Sequence, residues 1–331
     1  MSTPKGQPRS GSILALTGGG ILARFTTEIL AELQKKRSAA SGPDASLREA
    51  FDLVAGTSAG ALVAAGLAAG RTPRELCALF DAHGPKIFPA SRWRNLRHFV
   101  TAKYARRPLE AAIEQALDGQ DLRLGEIDQP IALPALNEST GRPVIFSNLE
   151  PRHADLPLRV AILASAAAPT YFPAVLINGE RHVDGGVFAN APDIAAISLL
   201  RRRWPNLQLR DIHVVSIGST NAHPASRSRP GRTGTWGILQ WMTRPTAHLL
   251  TLTLRAQADF TIELAPQLDL ADFIRLDAEL IDAAGRAYVI DDASEQARAA
   301  LAGAAGSAFD VLSADAKTRL ATLVRRDRFR G

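Results

Sequence analysis

The sequence predicts an α/β fold, a three-layer α/β/α sandwich with a mainly parallel central sheet, and three observations carry that expectation. Short apolar runs bounded by Gly, Pro, Asn or Asp recur along the chain, as strands buried on both faces do. Between them lie stretches with apolar residues at helical spacing, and alternating strand and helix implies a parallel sheet covered by helices. Twice an apolar run passes through glycines straight into a helical pattern, at Gly18-Gly19-Gly20 and at Gly56-Thr57-Ser58-Ala59-Gly60.

In chain order, strands are expected at 13–16, 53–55, 131–136, 144–147 and 212–217. A helix covers 21–36, where Leu22, Phe25, Ile29 and Leu33 recur on one face, and an Ala/Leu/Val-rich helix covers 61–69. Thr72-Pro73-Arg74-Glu75 opens another, with Thr72 as N-cap, proline at N1 and an acid at N3. Residues 1–11 read as a flexible tail and 223–235 as an exposed loop. Residues 12–331 read as one domain, with 221–331 a helical C-terminal extension packed on it, although 331 residues also allow two domains.

Hydrophobic residues make up 46% and charged residues 22%, a globular balance that excludes disordered, collagen-like and disulfide-stapled chains. The lone cysteine, Cys77, cannot form an intrachain disulfide, so a cytoplasmic location is expected. Residues 53–70 and 160–179 are uncharged over nearly the length of a bilayer span. The first is Gly/Ala-rich and the second holds Pro169 and Pro173, which suits a packed soluble core better. Lys5 and Arg9 before an apolar stretch imitate a secretion signal, but the triple glycine breaks that stretch.

The formal net charge is +6, and its distribution matters more than its sum. Residues 82–109 contain no acid, while Lys86, Arg92, Arg94, Arg97, Lys103, Arg106 and Arg107 alternate with Phe88, Trp93, Phe99 and Tyr104. Residues 212–258 also lack acids, and Arg227, Arg229, Arg232, Arg244 and Arg255 lie among Trp236 and Trp241. Such segments suit peripheral contact with an anionic membrane, aromatic edges inserted and cations on phosphates. A solvated face or a lid is the plainer reading of the same charges.

Gly56, Thr57, Ser58, Ala59 and Gly60 between strand and helix form the context of a nucleophile elbow, a turn so sharp that only small residues fit beside the serine. Ser58 also opens a helix, where unpaired N–H groups favour negative charge. Gly18, Gly19 and Gly20 fit an oxyanion loop, a phosphate loop or a tight turn; no Gly-Lys-Ser/Thr follows, which weakens the phosphate reading. The serine needs a base. None of the histidines at 83, 98, 153, 182, 213, 223 and 248 stands in a telling context, whereas Asp184 in Val183-Asp184-Gly185-Gly186 does: glycines bring its carboxylate to the end of a sheet. No paired Cys/His spacing suggests a metal.

These blocks, with 164–173 (Ala-Ser-Ala-Ala-Ala-Pro-Thr-Tyr-Phe-Pro) and Asp184-Gly185-Gly186-Val187-Phe188-Ala189-Asn190, resemble the patatin-like phospholipases in order and spacing. The resemblance spans most of the chain from about residue 13 to 301 and implies a patatin-like sandwich and a phospholipase A type of lipid acyl hydrolase with no cofactor. It implies Ser58 as nucleophile, Asp184 as its dyad partner, Gly185 and Gly186 as the dyad loop, and Gly18, Gly19 and Gly20 as the oxyanion hole. The family often places Arg or Lys and then Gly shortly after the triple glycine; here Leu22 and Ala23 stand there, with Arg24 next. Asn190-Ala191-Pro192 replaces the common Asn-Asn-Pro.

The Thr17-to-Gly20 form with Phe25-Thr26-Thr27 further resembles effectors of antiphage signalling, which implies a cyclic dinucleotide activator and degradation of the cell's own membrane phospholipid. Other readings stay open: an α/β-hydrolase triad adding His213, His223 or His248, an acyltransferase, or a nucleotide-binding module using Gly18 to Gly20. No nucleic acid polymer is expected as a partner; self-association is left open.

Overall fold

The computed structural model describes residues 10–90, 101–220, 248–285 and 287–328, with His248 described in its backbone only. In chain order the elements are β1 (Gly11–Leu16), α1 (Ala23–Ser41), β2 (Leu53–Gly56), α2 (Ala59–Ala68), α3 (Pro73–Ile87), α4 (Arg106–Ala116), β3 (Ile131–Asn137), β4 (Arg142–Phe146) and α5 (Leu158–Ser165). There follow β5 (Val175–Ile177), β6 (Glu180–Asp184), α6 (Gly186–Ala189), α7 (Asp193–Arg203), β7 (Ile212–Ile217), α8 (His248–Leu264), β8 (Asp272–Leu276), α9 (Glu295–Gly303), α10 (Ser307–Asp310) and α11 (Ala314–Arg325).

Among the described residues the strands form one eight-stranded sheet in the order β5-β6-β3-β2-β1-β7-β8, with β4 paired to β3 off that path. β2, β1, β7 and β8 run parallel to their neighbours, and β3 is parallel to β2. β4 and β6 pair with β3 in the antiparallel sense. Alternate residues of β1 feed two layers: Leu14 and Leu16 join the core with Phe25, Leu30 and Leu62, while Ile13 and Ala15 join the one with Ile197 and Leu200 of α7. Each such large side chain taken fully out of water contributes about 1.5–3 kcal/mol, so the sheet is held from both faces.

Thr72 caps α3 as expected, its side chain accepting from the Glu75 N–H while Glu75 reaches back to the Thr72 N–H. The extension beyond residue 221 is not wholly helical: β8 lies within it and pairs with β7 at the sheet edge. Its alternating Asp272-Phe273-Ile274-Arg275-Leu276 buries Ile274 and Leu276 on the α1–α2 side. Residues 1–9 of the expected tail 1–11 lie outside the described residues, and its last residue is not tail, since Gly11 opens β1.

Of the residues in 82–109 expected to meet a membrane, Phe88, Lys103 and Tyr104 are engaged within the fold, while Lys86 and Arg107 are exposed. Tyr104 is buried, and Phe88 packs edge-on against it with ring centroids 5.3 Å apart. Lys103 is spent on Asp291 at 2.5 Å. These two rings pack into a core seam. Arg92, Trp93, Arg94, Arg97 and Phe99, like Arg227, Arg229, Arg232, Trp236, Trp241, Arg244 and His223, lie outside the described residues.

Candidate active site

Strand register brings the predicted residues together. Leu16, Gly56 and Ile217 stand level at the carboxyl ends of β1, β2 and β7, so the glycine loop and the elbow emerge side by side. β2 stops at Gly56, but β3 runs on to Asn137. β6 then takes up the edge of β3 that β2 leaves, running the opposite way, and ends with Asp184 level with Ala135. Ala132 is level with Ala55, so Ser58 and Asp184 each lie three residues beyond that row and reach the same height.

The elbow is strained, as its sequence predicts. Ser58 has φ 57° and ψ −123°, a conformation that costs a non-glycine residue about 1–3 kcal/mol and persists only where the surroundings impose it. The surroundings leave no room for anything larger. A Cβ on Gly60 would stand 2.4 Å from the Leu16 carbonyl oxygen, and one on Gly56 2.1 Å from the Gly60 carbonyl oxygen. Thr57 donates its hydroxyl to the Ala189 carbonyl at 2.6 Å, tying the elbow to α6. Ala59 is the first residue of α2 and supplies the small side chain after the serine.

Asp184 is 2% exposed. Burial raises its pKa from the usual carboxylate value to about 6, while the neighbouring Ser58 hydroxyl and the Gly186 N–H, the latter 2.7 Å from Oδ1, pull the other way. Gly185 permits the turn at this point: its added Cβ would lie 2.2 Å from the Pro134 carbonyl oxygen. A serine hydroxyl held against a buried carboxylate poised near neutrality can be deprotonated as it attacks.

The glycine loop divides its work. Gly18 does not share the donor role expected of it, because its N–H is already bonded to the Asn190 carbonyl at 2.9 Å. Its role is close approach, since a Cβ there would stand 3.1 Å from Ser58 Cβ and 2.4 Å from Asn190 Oδ1. Gly19 and Gly20 line the cavity together with Ser58. Ser219 donates its hydroxyl to the Gly18 carbonyl at 2.9 Å, and Arg275 donates to the Thr17 hydroxyl at 3.0 Å, so the loop is braced from β7 and β8. Arg24 takes no part: it is buried between α1 and α3 on Glu28 at 2.8 Å and Asp81 at 3.1 Å.

Ser165 was not singled out by the sequence reading. Fully buried, it donates to the Pro134 carbonyl at 2.6 Å and accepts the Ser58 N–H at 3.3 Å, so one hydroxyl pins the nucleophile's backbone to β3. Its signal was present, a single serine inside the alanine run 164–168.

Ser58 and Asp184 open into a cavity lined by Leu62, Leu79, Phe80, Ile87, Phe88, Leu109, Phe172, Leu254 and Ile262. Such a lining suits an acyl chain. His83 also lines it, but its Nε2 faces Gln115 Oε1 at 2.5 Å. His213 is at the opposite end of the sheet, on the second residue of β7, with Nδ1 2.5 Å from Asp272. No group of three His, Cys, Asp or Glu side chains suited to a metal occurs among the described residues.

The chain is similar to "cGAMP-activated phospholipase" of Escherichia coli (strain TW11681), 32% identical across 86% of this chain and 84% of that one. It is similar to a protein of the same name from Vibrio cholerae, 28% identical across 88% of both chains. "Patatin-like protein 2" of Oryza sativa subsp. indica is 29% identical across 78% of this chain and 74% of its own. Residues 14–197, which hold the glycine loop, the elbow, Ser165 and the Asp184 loop, match the description Patatin-like phospholipase, and the chain belongs to the patatin-like phospholipase family.

Proposed function

We propose that this protein cleaves ester-linked fatty acids from membrane phospholipids through a Ser58–Asp184 dyad, and that a cyclic dinucleotide switches it on. The observation that carries the chemistry is the buried Asp184 carboxylate lining the same apolar cavity as Ser58, on strand ends that bring the two to one height.

Ser58 attacks the ester carbonyl as Asp184 takes its proton. Charge gathers on the carbonyl oxygen, where the Gly19 and Gly20 N–H groups and the first turn of α2 receive it. The protonated Asp184 returns the proton to the departing lysophospholipid hydroxyl. Water then attacks the acyl-enzyme, with Asp184 again as base, and Asp184 returns that proton to Ser58 Oγ as the fatty acid leaves.

The nucleotide switch rests on the names of the E. coli and V. cholerae relatives, and an antiphage role on the resemblance of Thr17 to Gly20 and Phe25-Thr26-Thr27 to effectors of antiphage signalling. Contact with the membrane is peripheral in this reading, and no described helix is long and apolar enough to cross a bilayer. Lipid mass spectrometry tests the whole reading: wild type and Ser58→Ala are incubated with phospholipid vesicles, with and without a panel of cyclic nucleotides. Free fatty acid and lysophospholipid are expected from wild type alone, and far more with one cyclic dinucleotide. Release that persists in Ser58→Ala sinks the dyad, and a rate indifferent to every nucleotide sinks the switch. Acyl groups found on an added alcohol instead of as free acid make the protein an acyltransferase.

A further inference from the structure

The wall of the catalytic cavity holds two arginines, and their situations differ. Arg275 is engaged through both terminal nitrogens, donating to Ser216 at 2.8 Å and Thr17 at 3.0 Å and pairing with Asp277 at 2.7 Å, with only its buried Nε unpartnered. Arg255, on α8, is half-buried in the same wall and makes no hydrogen bond or ion pair with any described residue. Burial pushes its pKa down, and Asp259 one turn on opposes this without forming an ion pair.

A guanidinium withdrawn from water without a partner is costly, and a bound anion removes that cost. Its planar fork fits phosphate oxygens in a bidentate way that an ammonium cannot. Arg24, the cation nearest in sequence to the triple glycine, is consumed by Glu28 and Asp81, so the glycine loop brings no positive charge to the site. We propose that Arg255 binds the headgroup phosphodiester of the phospholipid whose acyl ester lies at Ser58, and so makes the enzyme prefer phospholipids to neutral acyl esters. The inference rests on the phospholipase reading above. A cyclic dinucleotide presents the same phosphodiester chemistry, but Arg255 shares its cavity with Ser58 and Asp184, which favours the lipid.

The test measures kcat/KM in mixed detergent micelles, at saturating cGAMP, for phosphatidylglycerol and for diacylglycerol with the same acyl chains. Wild type, Arg255→Gln and Arg255→Lys are compared. Loss of a charge-assisted bidentate contact predicts that the ratio of phospholipid to neutral-lipid kcat/KM falls about tenfold or more in Arg255→Gln, mainly through KM, with Arg255→Lys intermediate. An unchanged ratio, whether both substrates suffer equally or neither suffers, overturns the inference. A variant whose ratio stands while the cGAMP concentration for half-maximal rate rises assigns Arg255 to the activator, and that also overturns it. Failure of the phospholipase reading shows separately, as a wild type that cleaves diacylglycerol and leaves phosphatidylglycerol intact.

Discussion

Asp184 couples activity to stability in opposite directions. Its folded-state pKa of about 6 lies above the ordinary 3.8, so between those values the folded protein keeps a proton that the unfolded chain has released. Stability from this group is full below about pH 4, falls as pH rises to about 6, and is flat beyond, a loss on the order of 2–3 kcal/mol. The base needs the ionised form, so the rate should climb through about pH 6 just where that stability is lost. Asp184→Asn keeps the shape and cannot ionise. It should cut kcat by at least about a hundredfold and unfold at higher urea than wild type at pH 7.5. An aspartate variant less stable than wild type at that pH contradicts the burial argument. Ser165 offers a second test at this scale: Ser165→Ala leaves the buried Pro134 carbonyl and the Ser58 N–H without their partner. A stability loss of about 1–3 kcal/mol should come with a lowered kcat, since the nucleophile's backbone is released. Equilibrium unfolding and steady-state kinetics on a soluble ester read both.

Strand direction decides between dyad and triad. Ser58 lies beyond the carboxyl end of β2, whereas His213 lies four residues short of the carboxyl end of β7, about 13 Å away along the strand. His213→Ala should therefore leave kcat within about twofold and cost only the stability of its contact with Asp272, about 1 kcal/mol. A folded His213 variant as inactive as Ser58→Ala overturns the dyad. The central strands were legible in the sequence because burial on both faces makes them continuous apolar runs, as in Ile13-Leu14-Ala15-Leu16. β6 was not: in Glu180-Arg181-His182-Val183-Asp184 only one residue is apolar, and its strand character comes from pairing with β3 and β5. The sequence therefore pointed to Asp184 through its glycines and gave no hint of the edge that carries it. The Gly18 amide escaped for the same reason, since its acceptor at Asn190 is remote in sequence and near only in the fold.

At the scale of the whole molecule, the C-terminal third closes the site from outside the segment 14–197: α8 walls the cavity and β8 supplies Arg275 behind the glycine loop. Besides the β7–β8 pairing and apolar packing, a buried cation on the first helix ties the end of that third in place. Arg37 of α1 is 1% exposed and donates to the Val324 carbonyl at 2.9 Å and the Arg326 carbonyl at 2.6 Å, with Asp327 at 2.7 Å and Glu49 at 3.7 Å. Val324 itself joins the core beside Leu320 and Leu323 of α11, so the contact fixes the last helix against the first. Arg37→Ala removes the donor to two carbonyls at once, one of them in a fully buried bond, and opens a void where a long side chain packed. The expected cost is about 2–4 kcal/mol, read as a lower urea midpoint with an unchanged slope. Because Arg37 is remote from the cavity, the folded variant at 25 °C should keep kcat/KM within about twofold. A variant that unfolds like wild type shows that the last helix is held by apolar packing alone. One that stays folded yet loses activity shows instead that the clamp sets the position of the cavity wall.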